Sequence, residues 1–194
     1  WMGEILFRTK LSENLFKGLS PWMQKLPGGL IHVNVVGCAL FAAISGSSAA
    51  TVATVGKMSI PELRKRNYPE KILLGSLAGS GTLGLLIPPS IILIIYGVAV
   101  QESIAKLFIA GIIPGIMIAL IFMSYVIIWS LINKKEMPKI LEEYSFLEKI
   151  KRSKQLLPVI LLISAVIGSI YTGVATATEA ASLGVVGALI LSYF

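Results

Sequence analysis

Aspartate is absent from the chain, and histidine and cysteine occur once each, at His32 and Cys38. No Ser/His/Asp set can be assembled from that stock, and a serine nucleophile would lack its base, so the chain reads as a non-enzyme. A lone cysteine in an apolar run leaves no disulfide framework and no thiolate metal cluster, and its default role is that of a small buried hydrophobe. Charge is scarce too: charged residues make up 14% of the chain against 55% hydrophobic, with a mean hydropathy of +0.82, far more apolar than an ordinary soluble domain. The chain is therefore read as an all-α integral membrane protein with several bilayer-associated helices. Its net charge of +7 is concentrated in a few loops, which fits cytoplasmic anchoring and leaves no case for nucleic acid as a partner.

The stretch that organises the rest runs from Pro27 to Pro61, PGGLIHVNVVGCALFAAISGSSAATVATVGKMSIP. A spanning helix needs about 20 apolar residues, so this run is too long for one crossing and too short for two. Gly46, set among Ser45, Ser47 and Ser48, is a poor place to continue a helix. It divides the run into two arms of about 16 residues, each about 24 Å long if helical. The pattern predicts a re-entrant helical hairpin whose polar tip lies at membrane depth. Irregular backbone is tolerated there only when buried in protein or facing a wet cavity, so the tip is a candidate binding site.

Residues 1–26 mix apolar and basic positions at roughly helical spacing. They read as an interfacial helix or, equally, as the tail of a preceding span with its connector. The chain opens on Trp1-Met2-Gly3 without a signal-peptide pattern and closes inside the apolar run LGVVGALILSYF, and is read as an internal piece of a larger membrane protein. On the first hairpin arm, His32 and Asn34 have no acidic neighbour and read as hydrogen-bonded packing residues. Lys57, far from the tip, reads as a snorkelling side chain.

After the hairpin, residues 61–71 (PELRKRNYPEK) form a polar loop with four basic and two acidic residues, which marks a cytoplasmic side. Residues 72–100 are long enough to span, but Gly75, Gly79, Gly81, Gly84, Pro88 and Pro89 punctuate them. Pro89 lacks an amide hydrogen and steers Pro88 away from the helical region, so the span must break between Gly84 and Pro89. Residues 104–132 form a further span with a kink expected at Pro114; with residues 62–103 they are assigned to the transport core. Residues 133–155, with seven basic and four acidic residues, read as a cytoplasmic linker. Residues 156–194 begin another repeat, with Glu179 as a capping or bend residue.

A serine-rich hairpin tip and a Gly/Pro-broken span, adjacent in sequence and at similar depth, form the pattern of secondary transporters. There, half-helix C-terminal ends and unwound carbonyls hold a cation and half-helix N-termini face an anion. Ser45 and Ser47 offer hydroxyl oxygens; Gly84, Ile87 and Pro89 offer carbonyls. Oxygen ligands without a carboxylate suit Na+ better than the divalent hard cations. The alternative reading of the same small residues is close helix packing alone.

At this point the residues also match a family. GGLIHVNVVGCALFAAISGSSAATVATVGKMSIPEL, GTLGLLIPPSIILIIYGV, LFIAGIIPGI and YTGVATATEAASLGVV together resemble the large membrane (M) subunit of tripartite ATP-independent periplasmic (TRAP) transporters, over almost the whole chain. The resemblance implies an inverted-repeat elevator fold of the ion-transporter superfamily in the bacterial inner membrane. It also implies Na+-driven uptake of an organic acid such as sialic acid or a C4-dicarboxylate, a soluble periplasmic binding protein that delivers the acid, and a small membrane (Q) subunit. Carried onto this chain, the first sodium site comprises Ser45, Gly46, Ser47, Gly84, Ile87 and Pro89, with the substrate carboxylate near Ser47, Ser48, Thr82 and Pro88. The second hairpin and second sodium site would belong to a repeat following Phe194. One departure is Ala177 in TATEA, where the family commonly has proline. Other readings are an organic anion transporter that needs no binding protein or couples to protons, and a structural membrane subunit without transport. The absence of acidic residues from the two core motifs weighs against a carboxylate proton relay.

Overall fold

The computed structural model of the chain describes Ile5, residues 11–138 and residues 144–193. The readings of residues 1–4 and 6–10 as interfacial segment, of 139–143 as linker, and of 194 lie outside the described residues. Among those described, all regular structure is helical: α1 Leu11–Met23, α2 Ile31–Ser45, α3 Ser48–Lys65, α4 Glu70–Gly81, α5 Ile91–Ala99, α6 Ile104–Ile132, α7 Phe146–Ser153, α8 Leu157–Tyr171 and α9 Ala177–Tyr193. An all-helical chain this apolar fits a membrane protein.

Helix α2 is apolar on every side and is the centre of the fold, as a helix without a polar face must be. Val33, Cys38 and Phe41 are sealed against Leu15 and Leu19 of α1, Val55 and Leu63 of α3, Leu73 and Leu77 of α4 and Phe108 of α6. Gly37 on α2 faces Val55, where a Cβ would sit 3.6 Å from a Val55 methyl, so α2 and α3 run back to back as a hairpin. Asn34 supplies the polar link across the core. Its Nδ2 donates to the Leu73 carbonyl at 3.2 Å and to Ser76 Oγ at 3.0 Å, while Ser80 Oγ donates to the Ser76 carbonyl at 2.6 Å. His32 Nε2 donates to the Pro27 carbonyl at 2.7 Å. Both side chains are thus bonded into the packing.

The loop read over 61–71 is shorter in the structure. Helix α3 continues through Pro61 to Lys65, and only 66–69 connect it to α4. Proline removes one amide but its φ is helical, and Glu62, Leu63, Arg64 and Lys65 are strong helix formers. Arg64 clasps Glu70 across the connector with Nε 2.6 Å and Nη2 3.2 Å from the carboxylate, which holds the Glu70 carboxyl below the usual carboxylate range. The linker read over 133–155 contains the amphipathic helix α7. It starts at a capping box in which the Ser145 amide donates to Glu148 at 2.9 Å.

Helix α6 has 29 residues, stays helical through Pro114 and has a mean hydropathy of 2.5 over its most apolar window, only 17% of which is buried. At 1.5 Å per residue it is long enough for a hydrocarbon core of about 30 Å. Its exposed band of Ile109, Ile113, Ile116, Leu120 and Ile128 is the surface that lipid would cover. The helical run Phe146–Tyr171 contains an 18-residue window with a mean hydropathy of 1.8; the run's apolar part is α8, while its first residues are the charged helix α7. At the start of α9, the Thr176 amide and hydroxyl both donate to Glu179 at 2.8 Å, so Glu179 is the capping residue of that bend.

Candidate functional site: a hairpin tip against a broken span

Helix α2 stops because Gly46 turns left-handed, at φ 59°, with its amide still bonded to the Ala42 carbonyl at 3.0 Å. Ser47 is extended and starts α3, its Oγ accepting from the Ala50 amide at 3.4 Å. The irregular backbone is two residues long. Thr51, one turn into α3 and fully buried, secures it: its Oγ1 donates to the Ser47 carbonyl at 2.7 Å and lies 2.8 Å from Ser45 Oγ. The Ser45 hydroxyl, at hydrogen-bond distance from both Thr51 and the Ser47 amide, is thereby held at the mouth of the turn.

The span of residues 72–100 breaks as its sequence requires. Helix α4 ends at Gly81, a tight turn covers Thr82–Leu85, and α5 starts only after extended Ser90, with a cis bond between Pro88 and Pro89. Buried Ser90 staples the gap by donating to the Leu85 carbonyl at 2.6 Å. The Ile87 and Pro89 carbonyls accept none of the hydrogen bonds seen among the described residues.

The two irregular segments touch. The Ile91 amide donates to the Gly46 carbonyl at 3.4 Å, and a Cβ on Gly46 would sit 2.6 Å from the Pro89 carbonyl oxygen. On the other side of the tip, a Cβ on Gly84 would sit 2.8 Å from the Ser47 carbonyl carbon and the Ser48 nitrogen. Only glycine allows backbones this close. Gly81 faces a side chain instead, that of Val52 on α3. Helix α6 backs the break: a Cβ on Gly111 would lie 2.9 Å from the Leu86 carbonyl oxygen, and one on Gly115 would lie 2.9 Å from the Ile87 side chain. Close approach by glycines four apart on one helix is a device of membrane helix packing.

The structure therefore brings Gly46 against Pro89 and Ser47 and Ser48 against Gly84, with Ser45 bonded inside the tip to Thr51 and Ser47. Ile87 contributes its backbone to the break while its side chain faces Gly115. Thr82 and Pro88 are held differently: exposed Thr82 donates its hydroxyl to the Gly79 carbonyl of its own helix at 2.7 Å, and buried Pro88 lies beside Gly111. Sequence reasoning left out Thr51, Ser90, Gly111 and Gly115. The signals for them were a hydroxyl four residues past Ser47, a serine straight after the prolines, and small-xxx-small spacing in AGIIPG.

No group of three or more His, Cys, Asp or Glu residues forms a metal cluster among the described residues. The site's polar atoms are hydroxyls and carbonyls. The C-terminal ends of α2 and α4 and the N-terminal ends of α3 and α5 converge here. The former carry partial negative charge suited to a cation, and the latter partial positive charge suited to a carboxylate. Removing the Thr51 hydroxyl should loosen this arrangement. Thr51→Val is expected to lower stability by about 1 kcal/mol, as a lost membrane-protein hydrogen bond does, and Thr51→Ser to restore it. Thermal unfolding of the two variants reads this out.

A family model described as "Tripartite ATP-independent periplasmic transporter, DctM component" matches residues 1–194. The C4-dicarboxylate TRAP transporter large permease protein DctM of Pseudomonas aeruginosa is 40% identical over 167 residues, covering 86% of this chain and 38% of that protein. The sialic acid TRAP transporter large permease protein SiaM of Vibrio cholerae is 35% identical, covering 97% of this chain and 44% of that protein. The isethionate TRAP transporter permease protein DctMQ of Oleidesulfovibrio alaskensis is 36% identical, covering 95% and 29%. The chain thus spans 29–44% of the length of these relatives.

Proposed function

The chain belongs to the family of the DctM component of tripartite ATP-independent periplasmic transporters, and on that premise we propose that it forms the first cation-coupled half of a secondary transporter for organic acids. The observation that carries the proposal is the meeting of the tip at Gly46–Ser48 with the break at Gly84–Pro89, across contacts that only glycine permits. In this reading α2 and α3 are a re-entrant hairpin. The connector at 66–69 and the segment after α6 lie on the cytoplasmic side, where basic residues gather. Sodium is the coupling ion. Ser45, Gly46, Ser47, Gly84, Ile87 and Pro89 would hold it with hydroxyl and carbonyl oxygens under the negative ends of α2 and α4. The substrate's acid group would face the positive ends of α3 and α5 near Ser47, Ser48, Thr82 and Pro88.

Sodium is favoured over protons because the tip and the break contain no carboxylate or histidine to carry a proton. Sodium supplies charge balance for an anion in a low-dielectric site, and the chain supplies the oxygen cage and the dipoles. The substrate is an organic acid: named relatives handle C4-dicarboxylates and sialic acid. Delivery by a periplasmic binding protein, pairing with a small membrane subunit and an elevator movement of the transport core in the bacterial inner membrane complete the reading. One relative's name joins the M and Q designations, which supports the pairing.

Proteoliposomes holding the full-length protein and its small subunit test the proposal. Uptake of an acid presented by the binding protein is expected under an inward sodium gradient and not under a proton gradient alone. Uptake driven by protons in sodium-free buffer would overturn the ion assignment.

A further inference from the structure

We propose that a cavity between the end of α1, the loop 26–29, Tyr68 and the end of α6 binds a small carboxylate with a short apolar body from the cytoplasm. The cavity has a volume of about 370 Å³. Its polar lining among the described residues is Gln24, Tyr68, Ser130 and Lys134, and no carboxylate joins them there. Gln24 carries the proposal. The residue is only 5% exposed, yet its Nε2 has no hydrogen-bond partner among the described residues. A buried donor left in that state bears its full desolvation penalty, which an acceptor seated in the cavity would remove. Lys134 adds a positive charge and makes no ion pair among the described residues.

The other walls suit the same ligand. Gly29, at φ 54°, lets the Tyr68 hydroxyl reach the start of α2, where it accepts from the Leu30 amide at 3.0 Å; a Cβ on Gly29 would collide with that hydroxyl. The hydroxyl hydrogen of Tyr68 then has no acceptor among the described residues and is left for a ligand. Ser130 has already committed its hydrogen to the Ile127 carbonyl at 2.9 Å. The cavity therefore presents an amide, a phenol and an ammonium as donors, beside the positive end of α2. That set selects an anion. Leu26, Pro27, Leu131 and Met137 form an apolar wall, on which a short hydrocarbon packs and inorganic phosphate has nothing to gain. Tyr68 stands in the connector and Lys134 in the segment after α6, the two regions assigned above to the cytoplasmic side. The 15 residues of α2 separate this cavity from the hairpin tip, about 22 Å at helical rise, so it is a site of its own.

The inference rests on the membrane placement proposed above for its side of access and not on ion coupling. Its test is thermal unfolding of the full-length protein in detergent and choline chloride, titrated with hexanoate, hexanamide or dioleoylphosphatidylglycerol. Hexanoate is expected to raise the unfolding temperature. Hexanamide, which lacks the charge, and the phosphatidylglycerol, whose two acyl chains exceed the cavity, are not. A hydrogen bond to a charged group is worth a factor of about 10 to 150 in affinity, so Gln24→Leu should move the hexanoate titration at least about tenfold higher. Lys134→Gln should move it about 2- to 5-fold, as an exposed charge does, which keeps the test open if the Gln24 variant folds poorly. Lys135→Gln, outside the cavity, should leave the titration in place. Sodium-specific stabilisation should be the same in all four proteins, which separates this site from the ion site. No effect of hexanoate would leave the Gln24 amide to an ordered water and overturn the proposal. An equal effect of hexanamide or of the phosphatidylglycerol, or an unmoved titration in Gln24→Leu and Lys134→Gln, would overturn it as well.

Discussion

Replacing Gly84 by valine is expected to raise the sodium requirement of transport by a factor of about 5 to 150 while leaving the helices assembled. Any Cβ at this position comes within 2.8 to 2.9 Å of the Ser47 and Ser48 backbone, and those atoms cannot rotate away as a side-chain end could. The tip must move off the broken span. Overpacking of this kind costs about 1–3 kcal/mol. If that cost falls on the closed, ion-holding arrangement, sodium affinity drops by a factor of about 5 to 150. Gly84→Ala should show the same loss in smaller measure. The measurement is the sodium concentration that gives half-maximal uptake, compared with Gly75→Ala, where a Cβ meets nothing within 4 Å. Wild-type sodium dependence in Gly84→Val would mean that contact between tip and break is incidental to transport.

Gly46→Ala carries two penalties at one atom. The residue sits at φ 59°, where an L side chain costs about 1–2 kcal/mol, and the new Cβ would meet the Pro89 carbonyl oxygen at 2.6 Å. With the overpacking term, the expected destabilisation is about 2–5 kcal/mol. Helical Gly75→Ala should instead be neutral or stabilising by up to about 1 kcal/mol. Thermal unfolding of the two variants side by side separates a required left-handed, close-contact glycine from one that merely occupies a helix. A Gly46→Ala protein as stable as the Gly75→Ala one would remove the turn at Gly46 from the account.

The helix boundaries that organise the site were legible because they follow from backbone chemistry that acts locally. Glycine among serines ends a helix wherever it stands, and two consecutive prolines break one, so Gly46 and Pro88–Pro89 could be placed from sequence. Pro61 misled because proline followed by charges reads as a loop; its neighbours' helix propensity outweighed the single amide it removes. Helix α7 was hidden within a charge run, since its apolar positions Phe146, Leu147 and Ile150 are too few to set a visible period among Lys149, Lys151 and Arg152. Thr51, Gly111 and Gly115 owe their roles to what approaches them in space. Thr51 looks like one more small residue of a hairpin arm until the Ser47 carbonyl is seen above it, and the glycines of α6 matter only because the break lies against them. The hydroxyls chosen from sequence divide for the same reason: Ser45 and Ser47 sit in the tip whatever packs there, whereas Thr82 turns its hydroxyl back to Gly79.

The most direct measurement is the unfolding temperature of the detergent-solubilised full-length protein in sodium chloride and in choline chloride at equal ionic strength, for wild type and Ser47→Ala. A ligand that binds only the folded state at one hundred times its dissociation constant adds about 2.7 kcal/mol. Ser47→Ala also removes the cap on the Ala50 amide, which lowers stability in both salts alike, so the difference between salts isolates the ion. The account predicts a sodium-specific rise in the wild type that shrinks in Ser47→Ala. Equal unfolding temperatures in the two salts, or a rise of the same size in both proteins, would contradict it.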